Sequence, residues 1–258
     1  MGAAIWSSSL AQMEDFEFRF FVQFFHNHGL LNIADRPQWY VIPNGSRSYL
    51  APLCEPFKNN IRLNANISGI SRVNGCVQIE FNHSDSETFD EVVIACHSDE
   101  ALSLLNDASP EESRILSAMP YSENSVVLHT DKKLLPKRKK AWASWHVNVG
   151  GNETSVCTAN YYMNLLQSLD VSTPVIVSLN QSDLIDEEKI LQSHSYWHPV
   201  YDENTSATQE VLSQIQGMNN TYYCGAYNGW GFHEDGAKSG VLAAEMLIEL
   251  AQQGKKVA

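Results

Sequence analysis

The chain has few basic residues and no long apolar run. Its 258 residues include 17 lysines and arginines against 30 aspartates and glutamates, so the formal net charge is −13. Nucleic-acid binding requires a basic stripe, and this balance argues against it. The single basic run, at residues 132–140, is interpreted as a solvated loop. No window approaches the ~18 apolar residues of a membrane-spanning helix, and no secretory signal opens the chain. We expect a globular cytoplasmic protein without a transmembrane segment.

Cysteine pairs and metal-ligand clusters are also missing. The five cysteines are scattered and none has C-x-x-C spacing, so the sequence predicts neither a disulfide framework nor a zinc site. Among the histidines, His194 and His198 are four residues apart, but Pro199 and the adjacent aromatics favour a strand. We therefore predict no metal site.

Two motifs that would define a reaction are absent. Without a Gly-x-Ser-x-Gly elbow, a serine hydrolase is excluded. The Gly-x-Gly-x-x-Gly turn that binds a dinucleotide pyrophosphate is absent as well. No general base can be named, so the catalytic residues stay unassigned.

The most informative segment that is present spans residues 222–250. It predicts a short strand, a glycine-rich turn and a helix whose N-terminus points backbone N–H groups at one place. We favour the interpretation in which Glu234 and Asp235 cap this helix and the N–H groups of Asp235, Gly236 and Ala237 face a flat or anionic ligand. The alternative is a catalytic set formed by His233 with the two carboxylates.

The first hundred residues suggest an α/β layer. Phenylalanines at i, i+4 spacing predict a helix over residues 12–28, buried on two sides; a tunnel lining for an apolar substrate and a membrane-contact helix are the alternatives. The pattern then predicts further elements. They are a strand and helix start at 39–50, a strand at 61–67, a hairpin partner at 73–81, a buried parallel strand at 88–96 and a helix at 99–105.

From residue 124 the pattern changes to successive strands, which predict an antiparallel sheet. The strands are expected at 125–129, 141–146, 155–162, 174–179 and 195–201, with a short helix at 163–169 and a longer one at 205–216.

Eight segments, taken in order, resemble a bacterial family of FAD-binding oxidoreductases in the flavin-containing amine oxidase and phytoene desaturase superfamily. They are GAAIWS at 2–7, NGSRSY at 44–49, FDEVVIACH at 89–97, LHTD at 128–131, WASW at 142–145, YMNLLQ at 162–167, HPVY at 198–201 and GFHEDG at 231–236.

The resemblance implies an α/β (α+β) fold, with an incomplete FAD-binding Rossmann-like lobe plus an antiparallel-sheet substrate lobe. Residues 1–105 and 222–258 would form the first lobe and residues 124–216 the second. The expected FAD contacts are Ile67, Ala95, Gly225, Ala226, Phe232, His233, Glu234, Asp235, Gly236 and Ala237. An aromatic wall for the substrate would come from Trp145, Tyr162, Trp197 and Trp230, for which plain core packing is the alternative.

Family members normally begin with a βαβ unit that carries the missing glycine turn. We therefore expect this chain to correspond to their C-terminal part, as a truncated form or a half that needs a partner. The resemblance implies an oxidoreductase in which FAD accepts a hydride from an apolar, lipidic or amine substrate. The alternative is a cofactor-free interaction module. Because the sheet would lack a strand beside residues 92–94, we expect the isolated chain to form a dimer or larger oligomer, or to be marginally stable. The alternative is that residues 1–10 fill the gap.

Overall fold

The computed structural model describes residues 2–82, 84–148 and 157–255, and the chain divides into two compact units. The first unit comprises Met1–Ile61 and Ser122–His198; the second comprises Arg62–Tyr121 and Pro199–Ala258. The sequence instead grouped residues 1–105 with 222–258. The first 61 residues lie with the antiparallel sheet, and the Cys157 N–H donates to the Ser8 carbonyl (3.2 Å) within that unit.

Within the described residues the helices are short except for the last. They are α1 (Gly2–Ile5), α2 (Leu10–Glu14), α3 (Phe18–Asn27), α4 (Leu50–Cys54), α5 (Ser98–Leu104), α6 (Pro110–Leu116), α7 (Met163–Leu166), α8 (Thr205–Val211) and α9 (His233–Lys255). The strands are β1 (Ile67–Val73), β2 (Cys76–Phe81), β3 (Ser84–Phe89), β4 (Val92–Ile94), β5 (Tyr121–His129), β6 (Trp145–Asn148), β7 (Thr158–Tyr162), β8 (Ile176–Leu179), β9 (Ile190–Pro199) and β10 (Thr221–Tyr223).

The phenylalanine-rich region forms two helices, so the single helix predicted over residues 12–28 is wrong. Ser9 begins α2 with a reciprocal capping box to Gln12, and the chain turns before α3 begins. The Trp6 ring lies 4.6 Å from Phe16 and 4.8 Å from Phe24 between ring centroids, which gives this segment an aromatic core. Phe18 is 78% exposed, so the segment is not buried on both of the sides expected.

Residues 31–63 contain none of the strands predicted there. The segment holds α4 and two 3₁₀ turns, Ser46–Tyr49 and Glu55–Asn60. The sequence suggests Ser46 as the N-cap of a helix, but Gly45 precedes the turn, and its carbonyl accepts a hydrogen bond from the Ser48 hydroxyl (2.8 Å). A strand forms only where a neighbouring strand satisfies its backbone hydrogen bonds. Of the strand predicted at 61–67, only Ile67 lies in a strand, as the first residue of β1 in the second unit.

The antiparallel sheet of the first unit has the strand order β6-β7-β8-β5-β9, and its existence confirms the sequence prediction. β9 is an edge strand, as the extended segment at 195–201 led us to expect. The strand predicted at 141–146 begins later, at Trp145, and forms β6. A 3₁₀ turn at Lys139–Ala141 precedes it. The start of the strand predicted at 155–162 lies outside the described residues; the described part forms β7.

A buried polar network crosses the middle of this sheet. The Asp131 N–H donates to Nδ1 of His129 (3.1 Å), so the ring proton lies on Nε2, which contacts the Ser178 hydroxyl (2.7 Å). Ser178 donates in turn to Asn160 (2.5 Å), whose oxygen also accepts from Gln181 (3.1 Å). Burial lowers the pKa of His129, although the charge of Asp131 opposes this. The network therefore holds a neutral imidazole.

The second unit is built on two small sheets. β1, β2 and β3 form an antiparallel sheet with the predicted hairpin turn at Asn74-Gly75. β4 and β10 form a parallel pair in which Tyr222 lies beside Val93, which confirms that the C-terminal segment packs on the strand predicted at 88–96. That predicted strand is divided between β3 and β4. On one face of the pair, Ala243 of α9 packs with Tyr222 and Cys224.

A buried ion pair joins three elements of the second unit. The Arg72 guanidinium of β1 makes two hydrogen bonds of 2.9 Å to Glu112 of α6, and the Tyr223 hydroxyl of β10 donates to the same carboxylate (2.6 Å). The Glu112 side chain is fully buried and that of Arg72 is 5% exposed. Burial opposes ionisation of Glu112, but Arg72 and Tyr223 hold its pKa below the usual range. Asp107 is a second acidic partner, 2.7 Å from Arg72 Nε.

We expect Arg72→Met to lower the free energy of unfolding by about 3–5 kcal/mol, because the change leaves a buried carboxylate without its cation. Chemical denaturation measures the loss. Arg62→Met is the matched control: Arg62 also forms a bidentate pair, with Glu87, but both side chains are exposed, and exposed pairs contribute little. Equal effects of the two substitutions would contradict the role assigned to the buried pair.

The neutral state of His129 predicts a pH dependence. Its folded pKa lies below the unfolded value, so the unfolded state binds the extra proton and stability falls as the pH drops below ~6.5, by at most about 1.4 kcal/mol per pH unit. The free energy of unfolding is measured from pH 8 to pH 5. His129→Gln should remove this component of the slope while Asp131, whose pKa lies at about 2, stays ionised. Identical slopes in both proteins would refute the assignment.

Candidate functional site

The carboxyl ends of the parallel pair form the centre of the candidate site. Ligands of open parallel sheets bind beyond this edge. Ala95 follows β4 and is exposed, and Gly225 follows β10. The pairing continues past β10, since the Cys224 N–H donates to the Ile94 carbonyl (3.0 Å). A Cβ on Gly225 would lie 3.2 Å from the Cys96 carbonyl oxygen and closer still to the Tyr227 ring, so only glycine allows this approach.

Helix α9 begins beside these strand ends. The Asp235 carboxylate accepts the N–H of Phe232 (3.0 Å) and packs against the backbone of Gly229. Glu234 is exposed and pairs with Lys238 one turn later (3.4 Å). Asp235 therefore stabilises the helix start as predicted, whereas Glu234 contacts the helix surface. The N–H groups of Asp235 (3.0 Å) and Gly236 (3.1 Å) donate to the Phe232 carbonyl, so the prediction that these two groups face a ligand is wrong. The N-terminus of this 23-residue helix carries the partial positive charge of the helix dipole.

Ser239 connects the turn to the helix. The sequence indicates it only as one of the small residues of this segment, and its hydrogen bonds were not predicted. Its buried hydroxyl accepts the Gly225 N–H (2.9 Å) and lies 2.8 Å from the Gly236 carbonyl oxygen. The signal was its spacing, because Ser239 stands one turn after the predicted helix start. This contact fixes Gly225 against the first turn of α9.

The small residues leave room at the helix start. A Cβ built on Gly236 would have the Ala226 nitrogen, at 3.7 Å, as its single neighbour within 4 Å, and one on Gly240 would meet nothing within that distance. Ala237 is exposed. A flat ring or an anion can therefore approach the backbone on this side of the helix.

Eight of the ten predicted cofactor residues belong to this strand–turn–helix segment, and Ala95 lies at the neighbouring end of β4. Ile67 is the exception: it begins β1 in the three-stranded sheet, where it is 40% exposed.

Tyrosines surround the glycine-rich turn. A Cβ on Gly231, whose φ is +87°, would lie 2.7 Å from the Tyr201 hydroxyl oxygen. Tyr227 is 2% exposed, and its buried hydroxyl has no hydrogen-bond partner among the described residues. Burial raises the pKa of both tyrosines. They were not predicted, since nothing in their spacing distinguishes them from core residues.

A groove of about 410 Å³ runs along α9. Leu242 and Met246 give it an apolar side, and Gln209, Asn228 and Lys238 contribute polar groups. The groove begins at Asp235 and therefore adjoins the helix start.

The predicted aromatic wall is not assembled in one place. Trp145 lies in β6 and Trp197 in β9, at opposite edges of the five-stranded sheet, which are roughly 19 Å apart at the usual strand spacing. Trp145 contacts Tyr161 (5.7 Å between centroids), whereas Tyr162 contacts Trp142 (5.1 Å). Successive strand residues point to opposite faces, so these two aromatic pairs are separate. Trp230 lies in the glycine-rich turn of the second unit.

Residues 2–82, 84–148 and 157–255 contain no cluster of three or more His, Cys, Asp or Glu side chains suited to a metal ion. Over the same ranges, every helix is too short or too polar to span a bilayer.

A sequence comparison identifies the family to which the chain belongs. The family profile described as "Flavin containing amine oxidoreductase" matches residues 3–193, about three quarters of the chain. The chain therefore belongs to this family. Comparison with curated proteins gave no match.

Solved structures share the fold at low sequence identity. A CLA-producing fatty acid isomerase from P. acnes is 19% identical with a TM-score of 0.50, over 70% of this chain and 47% of that one. A protein assigned as a protoporphyrinogen oxidase from Exiguobacterium sp. 255-15 is 17% identical with a TM-score of 0.51, over 90% and 58%. Putrescine oxidase bound to putrescine is 9% identical with a TM-score of 0.53, over 80% and 53%. The chain thus spans about half the length of these proteins.

Proposed function

We propose that the protein is an FAD-dependent oxidoreductase for which this chain supplies the flavin end of the cofactor site. The observation that carries the proposal is the start of α9, where Gly236 leaves its backbone open beside the ends of two parallel strands. FAD, when bound, supplies a hydride acceptor. Family membership, shown by the match over residues 3–193, makes a flavin the expected cofactor, and we assign it to this helix start on the geometry of Gly236.

The residues present fit one end of the cofactor. The first turn of α9 offers a positive helix end and free space beside Gly236, Ser239 holds the Gly225 turn in place, and Ala95 lies at the neighbouring strand end. The pyrophosphate end has no matching glycine turn in these 258 residues. We assign Gly225, Ala226, Phe232 and the first turn of α9 to the flavin ring, and Ile67 to the adenine side.

The substrate class that we propose is apolar or an amine. The named neighbours include one protein for each class: one is a fatty acid isomerase and another is a putrescine oxidase. Within this chain, the phenylalanine-rich helices support the apolar class: Phe16, Phe18 and Phe21 line a groove of about 340 Å³ with Met13. Trp145, Tyr162, Trp197 and Trp230 remain candidate substrate contacts. The five scattered cysteines, none of them in C-x-x-C spacing, support a cytoplasmic location.

A second candidate is an interaction module without a cofactor, which an exposed apolar stripe on α9 favours. Ala237, Val241, Ala244 and Ile248 follow i, i+4, i+7 and i+11 spacing and therefore share one side of the helix. All four are exposed, Val241 by 57% and Ile248 by 52%. Val93 of β4 is 41% exposed as well. Such surfaces in soluble proteins are usually covered by a partner.

We expect Gly236→Val to prevent FAD binding without unfolding the protein. Its Cβ would make only an ordinary contact, 3.7 Å from the Ala226 nitrogen, while the isopropyl group fills the space that the flavin ring needs. Titration with FAD, followed by absorbance near ~450 nm and flavin fluorescence, measures the affinity.

Gly240→Val is the matched control, since it makes the same change in the same helix where a Cβ meets nothing within 4 Å. It carries the same helix-propensity change and should retain FAD binding. Equal FAD affinity of the Gly236→Val variant and the unmodified chain would refute the site. An unmodified chain that takes up no FAD would refute the enzyme function for this chain and favour the interaction module.

We also expect the isolated chain to self-associate through the α9 stripe. Light scattering should give a dimer or larger species, and Val241→Glu with Ile248→Glu should shift it to the monomer, because two charges would enter the apolar contact. Lys238→Glu is the control, because it changes the net charge by the same amount at an exposed polar position outside the stripe. A monomeric unmodified chain, or equal dissociation in both variants, would contradict this interface.

A further inference from the structure

A basic segment stands out on the first unit of this acidic protein. Residues 132–140 contain six of the 17 lysines and arginines and no carboxylate. Lys132, Lys137, Arg138, Lys139 and Lys140 are exposed. Within the described residues, no ion pair joins any of these five cations to a carboxylate. Their charge is therefore not neutralised by neighbouring groups of the described chain.

The segment is held in a defined conformation. Leu135 is buried and anchors its middle, and the Leu135 N–H donates to the Lys132 carbonyl (3.1 Å). The Trp142 indole N–H donates to the Pro136 carbonyl (2.8 Å), which closes the loop. Lys139 lies 5.8 Å from the centre of the Trp142 ring. A loop ordered in this way presents its cations without the entropy loss of a flexible tail.

A cleft of about 530 Å³ lies between the basic segment and edge strand β6. Lys133 and Lys137 line one side, and His146 and Asn148 line the other. Trp145 and Val147 also border the cleft, and they are 44% and 38% exposed. Lys133 is paired with Asp131 and Asp186, whereas Lys137 has no ion pair among the described residues. The site therefore places exposed apolar side chains beside one uncompensated cation of the cleft, with the other exposed cations of the basic segment next to it.

We infer that this basic cleft docks the protein on an anionic lipid surface, with a phosphate headgroup in the cleft and the Trp145 side chain in the interfacial layer. Cations attract anionic headgroups, and an indole prefers the boundary between water and acyl chains. The rest of the chain carries excess negative charge and is repelled by such a surface. The basic segment thereby fixes the orientation of the bound protein.

An acidic protein partner is the competing occupant. The positive charge of the basic segment would attract an acidic protein as well as it attracts an anionic lipid. The exposed Trp145 and Val147 beside the cations favour lipid, because surface-binding segments combine basic and apolar side chains in this way. The two occupants differ in one measurable respect: apolar insertion persists when salt screens the charges.

Vesicle sedimentation tests the inference with the full chain. Vesicles of phosphatidylcholine alone are compared with vesicles that contain roughly 30% phosphatidylglycerol, at low salt and at about 0.5 M salt. Binding should require the anionic lipid. Replacing four cations together, Lys137→Gln, Arg138→Gln, Lys139→Gln and Lys140→Gln, should weaken it about 100-fold.

The matched control removes the same number of charges elsewhere: Arg19→Gln, Arg36→Gln, Arg47→Gln and Lys58→Gln. It should bind within about threefold of the unmodified chain. Trp145→Ala should weaken binding at both salt concentrations, which a purely ionic contact would not show. Circular dichroism checks folding, and Lys139→Gln with Lys140→Gln is the milder variant, with an intermediate loss expected.

Three results would overturn the inference. They are absence of binding to anionic vesicles, equal losses in the basic-segment variant and its control, and binding to soluble polyglutamate without binding to vesicles. The last result would assign the cleft to an acidic protein partner instead.

Discussion

The Arg72–Glu112 ion pair is the interaction on which the second unit depends. Arg72 belongs to the hairpin sheet, Glu112 to α6, and Tyr223, which donates to the same carboxylate, to β10. A buried charge requires its partner, and the bidentate geometry allows one arrangement of the three elements. The position of β10 decides where Gly225 emerges, and Ser239 then positions the start of α9 against it. The open backbone at Gly236 thus follows from a charge pair that lies outside the candidate site.

The first unit depends on a polar network of a different kind. His129, Ser178 and Asn160 form a chain of neutral hydrogen bonds within the sheet, where each buried group has a partner. Such a network specifies the strand register, because a shift by one residue would leave every member unsatisfied. The strand order places Trp145 and Trp197 at opposite edges. Any substrate contact by these aromatics must therefore be made separately, and the exposed Trp145 is explained better by the basic segment beside it.

Sequence patterns predicted what local chemistry determines. The Asn74-Gly75 hairpin, the antiparallel sheet after residue 124 and the strand–turn–helix around Gly225 follow from turn residues and periodicity. The strands expected before residue 67 are absent, because β propensity produces a strand only where a partner strand is available. The sequence did not predict the contacts of Ser239, Tyr201 and Tyr227, because these contacts join distant segments. The unit boundaries likewise depend on long-range contacts that composition does not record.

The second unit is assembled from two segments that are separated by the whole of the five-stranded sheet in sequence. Arg72 reaches Thr221, 149 residues further along the chain, and Glu112 reaches Tyr223 across 111 residues. On the ribosome, Glu112 therefore leaves the exit tunnel long before its hydroxyl partner has been synthesised, so the intervening sheet can fold first. Contacts of such high sequence separation form slowly. Between the synthesis of Glu112 and that of Tyr223, β4 lacks its partner strand β10. Chaperones would bind the chain during this interval.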